Sequence, residues 1–214
     1  METLFGTKVI KTISFDEGEM LNDIIELHCP QGIELDPCYS VGAFYKRSGI
    51  GQPKHKFDIE PQISGVVQAN SNNLPLGDNS VSSVMFDPPF VIGGQTYKDA
   101  KEGSCITAKR FSNFDSWRQL KEMYSTSMVE FYRILKDDGI LIFKNQDSVS
   151  GGKQHFSHAY IMNRAVEIGY YPKDLFILLA KNRLIGPHET QQHARKFHCY
   201  YWVFIKRQCP VDYS

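Results

Sequence analysis

A series of short apolar runs, each closed by an acid or an amide, narrows the fold of this chain more than any other feature. Gly32 to Asp36 is one, Phe57 to Ile59 carries Asp58, Gly65 to Ala69 is closed by Asn70, and Val81 to Phe86 is closed by Asp87. Strands buried on both faces read as continuous apolar runs, and parallel sheets are made of such strands. Between and after them lie helices. Asp16 with Glu19 three positions on forms a capping-box pattern, and the helix it opens places Met20, Ile24 and Leu27 on one stripe before stopping near Pro30. Phe114, Trp117, Leu120, Tyr124, Met128, Phe131 and Leu135 recur every three or four residues, the stripe of a long amphipathic helix. Asp137-Asp138-Gly139 is expected to end it, with Gly139 in the left-handed cap conformation.

Ile140 to Phe143 then reads as another buried strand, and His155 to Ile168 as a helix capped by Gly169. Leu175 to Ala180 and Cys199 to Ile205 follow as strands with no helix between them, which predicts an antiparallel edge. Strands alternating with helices in this way specify an α/β layered domain on a twisted, mostly parallel sheet. Open sheets of that kind bind ligands at the carboxyl ends of their strands, where the strand order reverses. Asp36, Asp58, Asn70 and Asp87 all fall at such ends.

The 214 residues suffice for one domain, with residues 1–30 an N-terminal extension and helix and residues 91–112 a long substrate loop. Lys+Arg and Asp+Glu both count 24, which excludes a polycation that coats nucleic acid and leaves a local basic face. The five cysteines include no CxxC pair, so neither a disulfide framework nor a structural zinc is expected, and a reducing cytoplasm is the expected setting. His28-Cys29 and His198-Cys199 are sequence neighbours that a strand would point to opposite faces, so no metal site is expected. No apolar stretch approaches a membrane span, and the N-terminus lacks a signal-peptide pattern.

Asp87-Pro88-Pro89-Phe90 is the most specific motif. Two successive prolines have fixed φ and no N–H, and each stiffens the residue before it. The result is a rigid corner with a carboxylate, a carbonyl and an aromatic face. Those groups suit a planar heterocycle bearing an amine: the Asp87 carboxylate and the Pro88 carbonyl accept its N–H groups while Phe90 stacks on the ring. Such stacking is worth ~1–3 kcal/mol. Two acceptors also draw a conjugated amine toward tetrahedral geometry, and Asp87 can take its proton.

With these residues in view, the sequence resembles the class I S-adenosylmethionine-dependent methyltransferases that act on amino groups of nucleic-acid bases. It looks most like small adenine-specific DNA methylases of bacteria and their phages. The resemblance runs from about Ile33 to Lys206, in the order Asp36 to Phe44, Phe57-Asp58, Asn70 to Pro75, DPPF, and Glu130 to Phe143. It implies a Rossmann-like methyltransferase fold with S-adenosylmethionine as cofactor. Asp36, Pro37, Cys38, Tyr39 and Gly42 would lie at the cofactor's methionine end, Asp58 at its ribose and Asn70 at its adenine. Asp87, Pro88, Pro89 and Phe90 would hold the target base. The cofactor loop keeps only Gly42 of the family's glycines, Asn70 stands where an acid is common, and Phe90 replaces a tyrosine.

The resemblance implies a nucleic-acid partner, DNA before RNA. Lys98, Lys109 and Arg110 of the long loop, and Arg195 and Lys196 before the last strand, read as its phosphate contacts, and Lys144 as reaching the flipped base or the phosphate beside it. The same tetrapeptide serves the amines of adenine, cytosine and, in ribosomal RNA, guanine. A non-catalytic nucleic-acid-binding relative and a methyltransferase of small molecules or proteins are the rivals.

Overall fold

The computed structural model describes residues 8–92, 114–181 and 192–207. Asp16 accepts the backbone N–H of Glu19 at 2.9 Å, so α1 (Glu17–His28) starts where the capping pattern places it. Only half of the capping box forms, because the Glu19 carboxylate accepts from Ser14 Oγ instead. Met20, Leu21 and Ile24 carry the buried face, whereas Leu27, expected on the stripe, is exposed.

The strands that follow are short: β1 (Ile13–Ser14) before α1, then β2 (Leu35–Asp36), β3 (His55–Asp58), β4 (Val67–Gln68) and β5 (Val81–Phe86). The six-residue α2 (Ala43–Ser48) links β2 to β3. Beyond the loop come α3 (Trp117–Ile134), β6 (Leu135–Asn145), the hairpin β7 (Ser148–Ser150) and β8 (Lys153–His155), α4 (Ser157–Ile168), β9 (Tyr170–Leu179) and β10 (His198–Lys206). Gly169 caps α4 at φ +118°, as its sequence position predicts.

The junction of α3 and β6 departs from expectation. The helix stops at Ile134, and Asp137-Asp138-Gly139 lies within β6. Tertiary partners replace the glycine cap: Asn79 and Ser80 donate their N–H groups to the Arg133 and Ile134 carbonyls at 3.0 and 2.7 Å, and the Lys206 ammonium donates to the Leu135 carbonyl. The left-handed residue is Asp138 at φ +59°, not Gly139.

The main sheet runs β1-β9-β10-β6-β5-β2-β3-β4. The pairs β2–β3, β3–β4, β2–β5, β5–β6 and β1–β9 are parallel, and β10 is antiparallel to both β6 and β9. This is the mostly parallel α/β sheet with an antiparallel C-terminal strand that the sequence implied. One detail differs: the reversed strand lies inside the sheet, and β1 covers the outer side of β9.

Side chains alternate across the sheet as the strand pleat requires. Val84, Phe86, Leu141 and Phe143 face α3 and α4, where they meet Leu120, Tyr124, Met128 and Phe131. Met85, Ile140 and Ile142 face α1 and α2, against Met20, Ile24 and Tyr45. Phe86 contacts Phe131 and Phe143 edge-on, with ring centroids 4.8 and 4.9 Å apart. Each such pair adds ~0.5–1.5 kcal/mol to the burial of its rings. These two layers lock β5 and β6 in register and thereby fix what their carboxyl ends carry. No helix among the described residues is long and apolar enough to cross a membrane.

Candidate active site

Strand order reverses between β2 and β5: β3 and β4 continue on one side of β2, while β5 leads away on the other. The carboxyl edge around that point is lined in turn by Asn70 after β4, Asp58 ending β3, Asp36 ending β2, Asp87 after β5, and Lys144 and Asn145 ending β6.

The loop after β2 is held by its own acid. Asp36 accepts the N–H of Cys38 and the hydroxyl of Tyr45, both at 2.8 Å. Tyr39 N–H bonds the Phe57 carbonyl at 3.0 Å, and Ser40, left-handed at φ +53°, donates its N–H to Asp58 at 2.8 Å. Asp58 also accepts the N–H of Glu60. The loop is thus tied to the ends of both β2 and β3, with Pro37 buried beneath it.

Gly42 sits at φ +66° just before α2, and a Cβ there would lie 2.6 Å from Tyr39 Cζ. Tyr39 is itself buried, stacked on Tyr45 at 5.5 Å and bonded through its hydroxyl to Gln52. The space opened by Gly42 therefore holds the Tyr39 ring. Tyr39 thus shapes the loop from below.

Burial pushes the Asp36 carboxyl up to about 7; the Cys38 N–H and the Tyr45 hydroxyl oppose the rise, and the charges of Asp87 and Asp58 add to it. Burial and the same acids push the Cys38 thiol far up, so it is a neutral packing group and no nucleophile. Asn70 is exposed, and its side-chain oxygen accepts the N–H of Asn72 at 3.3 Å.

At the corner, Pro88 is buried while Pro89 and Phe90 are half-buried. Among the described residues no peptide bond is cis. Asp87 Oδ2 accepts from Lys144 Nζ at 3.0 Å, and the same ammonium donates to Glu17 at 2.7 Å. Tyr201 donates its hydroxyl to Glu17 at 2.6 Å, and Arg47 lies 3.6 Å from the other Glu17 oxygen. The Lys144 side chain is 12% exposed, against 29% for Asp87. Lys144, expected at the flipped base or its phosphate, is turned inward, and the carboxylate is the group a ligand can reach. Burial raises Asp87, and Lys144 offsets part of that rise. Burial alone would discharge Lys144, but Asp87, Tyr201 and Glu17 outweigh it and hold the ammonium well above its usual value.

Of the remaining expectations, Lys98, Lys109 and Arg110 lie outside the described residues, as does most of the 91–112 loop. Its flanks meet: Ile92 bridges Phe114, and Phe114 N–H bonds the Val91 carbonyl. Arg195 is exposed and Lys196 half-buried, on the approach to β10. Asp147 accepts the N–H of His158 in the first turn of α4, a capping role, and pairs with its ring at 2.8 Å.

Sequence reasoning missed Glu17, Tyr45 and Tyr201. Glu17 reads as an ordinary first-turn acid, and the two tyrosines as core. Only the fold brings them beneath the edge.

S-adenosylmethionine carries a sulfonium, an ammonium and a ribose. The edge offers Asp36, Asp58 and Asp87, with Asp36 feeling both of the others, and Lys144 as their buried counter-ion. A cationic ligand relieves that repulsion and carboxylates accept from ribose hydroxyls, so the donor set fits the cofactor.

No family model and no curated protein matches the chain. Solved structures that match it include the cytosine-N4-specific PvuII DNA methyltransferase. That match has 16% identity and a TM-score of 0.49, over 66% of this chain and 49% of that one. A protein of Thermus thermophilus described as a candidate DNA modification methylase, in complex with S-adenosyl-L-methionine, matches at 16% identity and a TM-score of 0.44, over 68% and 56%. An S-adenosylmethionine-dependent methyltransferase of Thermotoga maritima, named a possible histamine N-methyltransferase, matches at 16% identity and a TM-score of 0.49, over 86% of each chain. The chain spans about half the length of the DNA methylases it matches. Likenesses this distant carry no argument about the methyl acceptor.

Proposed function

We propose that the protein is an S-adenosylmethionine-dependent methyltransferase acting on an exocyclic amino group of a nucleic-acid base, adenine in DNA above the others. One observation carries the reading: the Asp87-Pro88-Pro89-Phe90 corner stands at the carboxyl end of β5, beside the acid-tied loop of β2, where the strand order reverses. The cofactor, when bound, supplies a methyl group on a sulfonium.

The chain's own residues do the rest. Asp36 and the backbone of its loop bind the cationic end of the cofactor, Asp58 its ribose, and Asn70 its adenine edge. Asp87 and the Pro88 carbonyl accept the two N–H groups of the target amine and draw its lone pair out of conjugation. Phe90 stacks on the ring, and Asp87 takes the departing proton, directly or through water. The base must leave its stack to enter, at a cost of a few kcal/mol.

Incubation with labelled cofactor and either DNA or RNA, followed by nucleoside analysis, tests the reading, and N6-methyladenine from DNA is the expected product. Asp87→Ala should lose at least about a hundredfold in turnover, the usual weight of a positioned acid–base group, while calorimetry still records cofactor binding. Normal turnover in that variant would overturn the role of the corner.

A further inference from the structure

Lys144 is buried deeper than the carboxylate it serves. It and Asp87 project from neighbouring strands whose pairing aligns Phe86 with Phe143, so the next residues lie side by side. The ammonium is placed from three sides: Asp87 Oδ2 at 3.0 Å, Glu17 Oε1 at 2.7 Å, and the rings of Phe44 and Tyr201 at 5.6 and 5.5 Å. Glu17 is fixed in turn by the Tyr201 hydroxyl. Among the described residues, Asp87 Oδ1 carries no hydrogen bond.

We propose that Lys144 is the positioning residue of the corner: anchored by Glu17, its ammonium holds Asp87 Oδ2 and leaves Oδ1 as the acceptor presented to the substrate amine. This rests on the reading of Asp87 as the group that receives that amine. Two consequences follow. The carboxylate cannot swing to pair with its own loop. Lys144 also favours the charged form in a buried setting that favours the acid, which accepts an N–H more weakly and cannot take the amine's proton.

The groups that act on Asp87 come from every element around it. Glu17 of α1, Arg47 of α2 and Asp36 of β2 carry charge beside Lys144 of β6. Cys38, Tyr45, Tyr124 and Tyr201 are all pushed upward and stay neutral in the working range. The Asp36 carboxyl is itself pushed up to about 7.

The test reads Asp87 itself as well as the reaction. Carboxyl-carbon NMR of aspartate-labelled protein, in an Asp36→Asn background and with Asp87→Asn to assign the signal, gives its titration midpoint without any substrate. Lys144→Met should raise that midpoint by about 1–3 pH units, the effect of removing an opposite charge at this range. Glu17→Gln, which keeps the ammonium and removes a competing acid, should lower it. In turnover, the acidic limb of kcat/KM should move upward in Lys144→Met, with activity recovered at alkaline pH, and return in Lys144→Arg. An unmoved midpoint in Lys144→Met overturns the proposal. So does a Glu17→Gln shift in the same direction as Lys144→Met, and that variant decides the matter if Lys144→Met does not fold. If the midpoints move as stated but the parent protein methylates no nucleic acid, the pairing stands and the methyltransferase reading falls.

Discussion

Asp36 shows how a single residue can be costly in isolation and useful in company. Its carboxyl titrates near 7 in the folded protein and near 3.8 when exposed. Between those values the native state holds a proton that the unfolded chain has released. Stability must therefore fall as pH rises from about 4 to about 7, by an amount on the order of a few kcal/mol. Asp36→Asn keeps an acceptor for the Cys38 N–H and turns an amide N–H toward the Tyr45 oxygen, but removes the titration. Its melting temperature should lose that part of the pH slope, and an identical slope would mean that Asp36 is not the group at fault. Gly42 makes the complementary case. Gly42→Val must both strain a φ of +66° and dislodge the Tyr39 ring, so the variant should lose about 1–3 kcal/mol of stability. Denaturant midpoints check this, and a parent-like midpoint would mean that the loop can move aside. The glycine was legible in the sequence as a close-approach position. What approaches it was not, because the Tyr39 ring arrives only once Tyr45 and Gln52 are in place.

At the level of elements, legibility followed the apolar pattern: even β2 and β4, two residues each, were readable from the runs that carry them. The α3 stripe and the β5 run were readable because many residues repeat one periodicity, and packing on two faces enforces it. β1, β7 and β8 are two or three residues long and carry no period to read. The end of α3 misled for a different reason. Asp137-Asp138-Gly139 looks like a cap, yet the last carbonyls of the helix are satisfied by Asn79, Ser80 and Lys206, residues remote in sequence. That leaves Gly139 with a steric duty: a Cβ on it would stand 2.7 Å from the Lys136 carbonyl oxygen. Gly139→Ala should then cost about 1–3 kcal/mol. Asp138→Gly should be neutral or stabilising by up to ~1 kcal/mol, since it removes a left-handed non-glycine and only an exposed pair with Arg207. Urea midpoints of the two variants give the comparison, and the reverse order would restore the capping role to Gly139. The candidate site divides along the same line. Strand-end acids could be read from where apolar runs stop, whereas Glu17, Lys144 and Tyr201 meet only through the order of β10, β6 and β5.

Taken as a whole molecule, the protein is neutral, with 24 basic and 24 acidic residues, and that constrains how it could hold a polyanion. Long-range attraction contributes little, so any affinity for nucleic acid must come from a few local phosphate contacts that release counter-ions one by one. Each contact on duplex DNA contributes about −0.9 to the slope of log affinity against log salt, so a neutral protein with few contacts should show a shallow but measurable slope. Lys144 is unavailable for this, being held inside by Glu17 and Asp87. Arg195 and Lys196, placed before β10 where that strand enters the site edge beside Asn145, are described cations positioned for the role. Their joint replacement by alanine should flatten the slope by about 2 and weaken binding equally across sequences, because phosphate contacts carry no base information. Fluorescence anisotropy over a salt series measures both. A slope near zero in the parent protein, unchanged in the double variant, would remove the polyanion from the account and favour a small molecule or a protein side chain as acceptor in the proposed reaction.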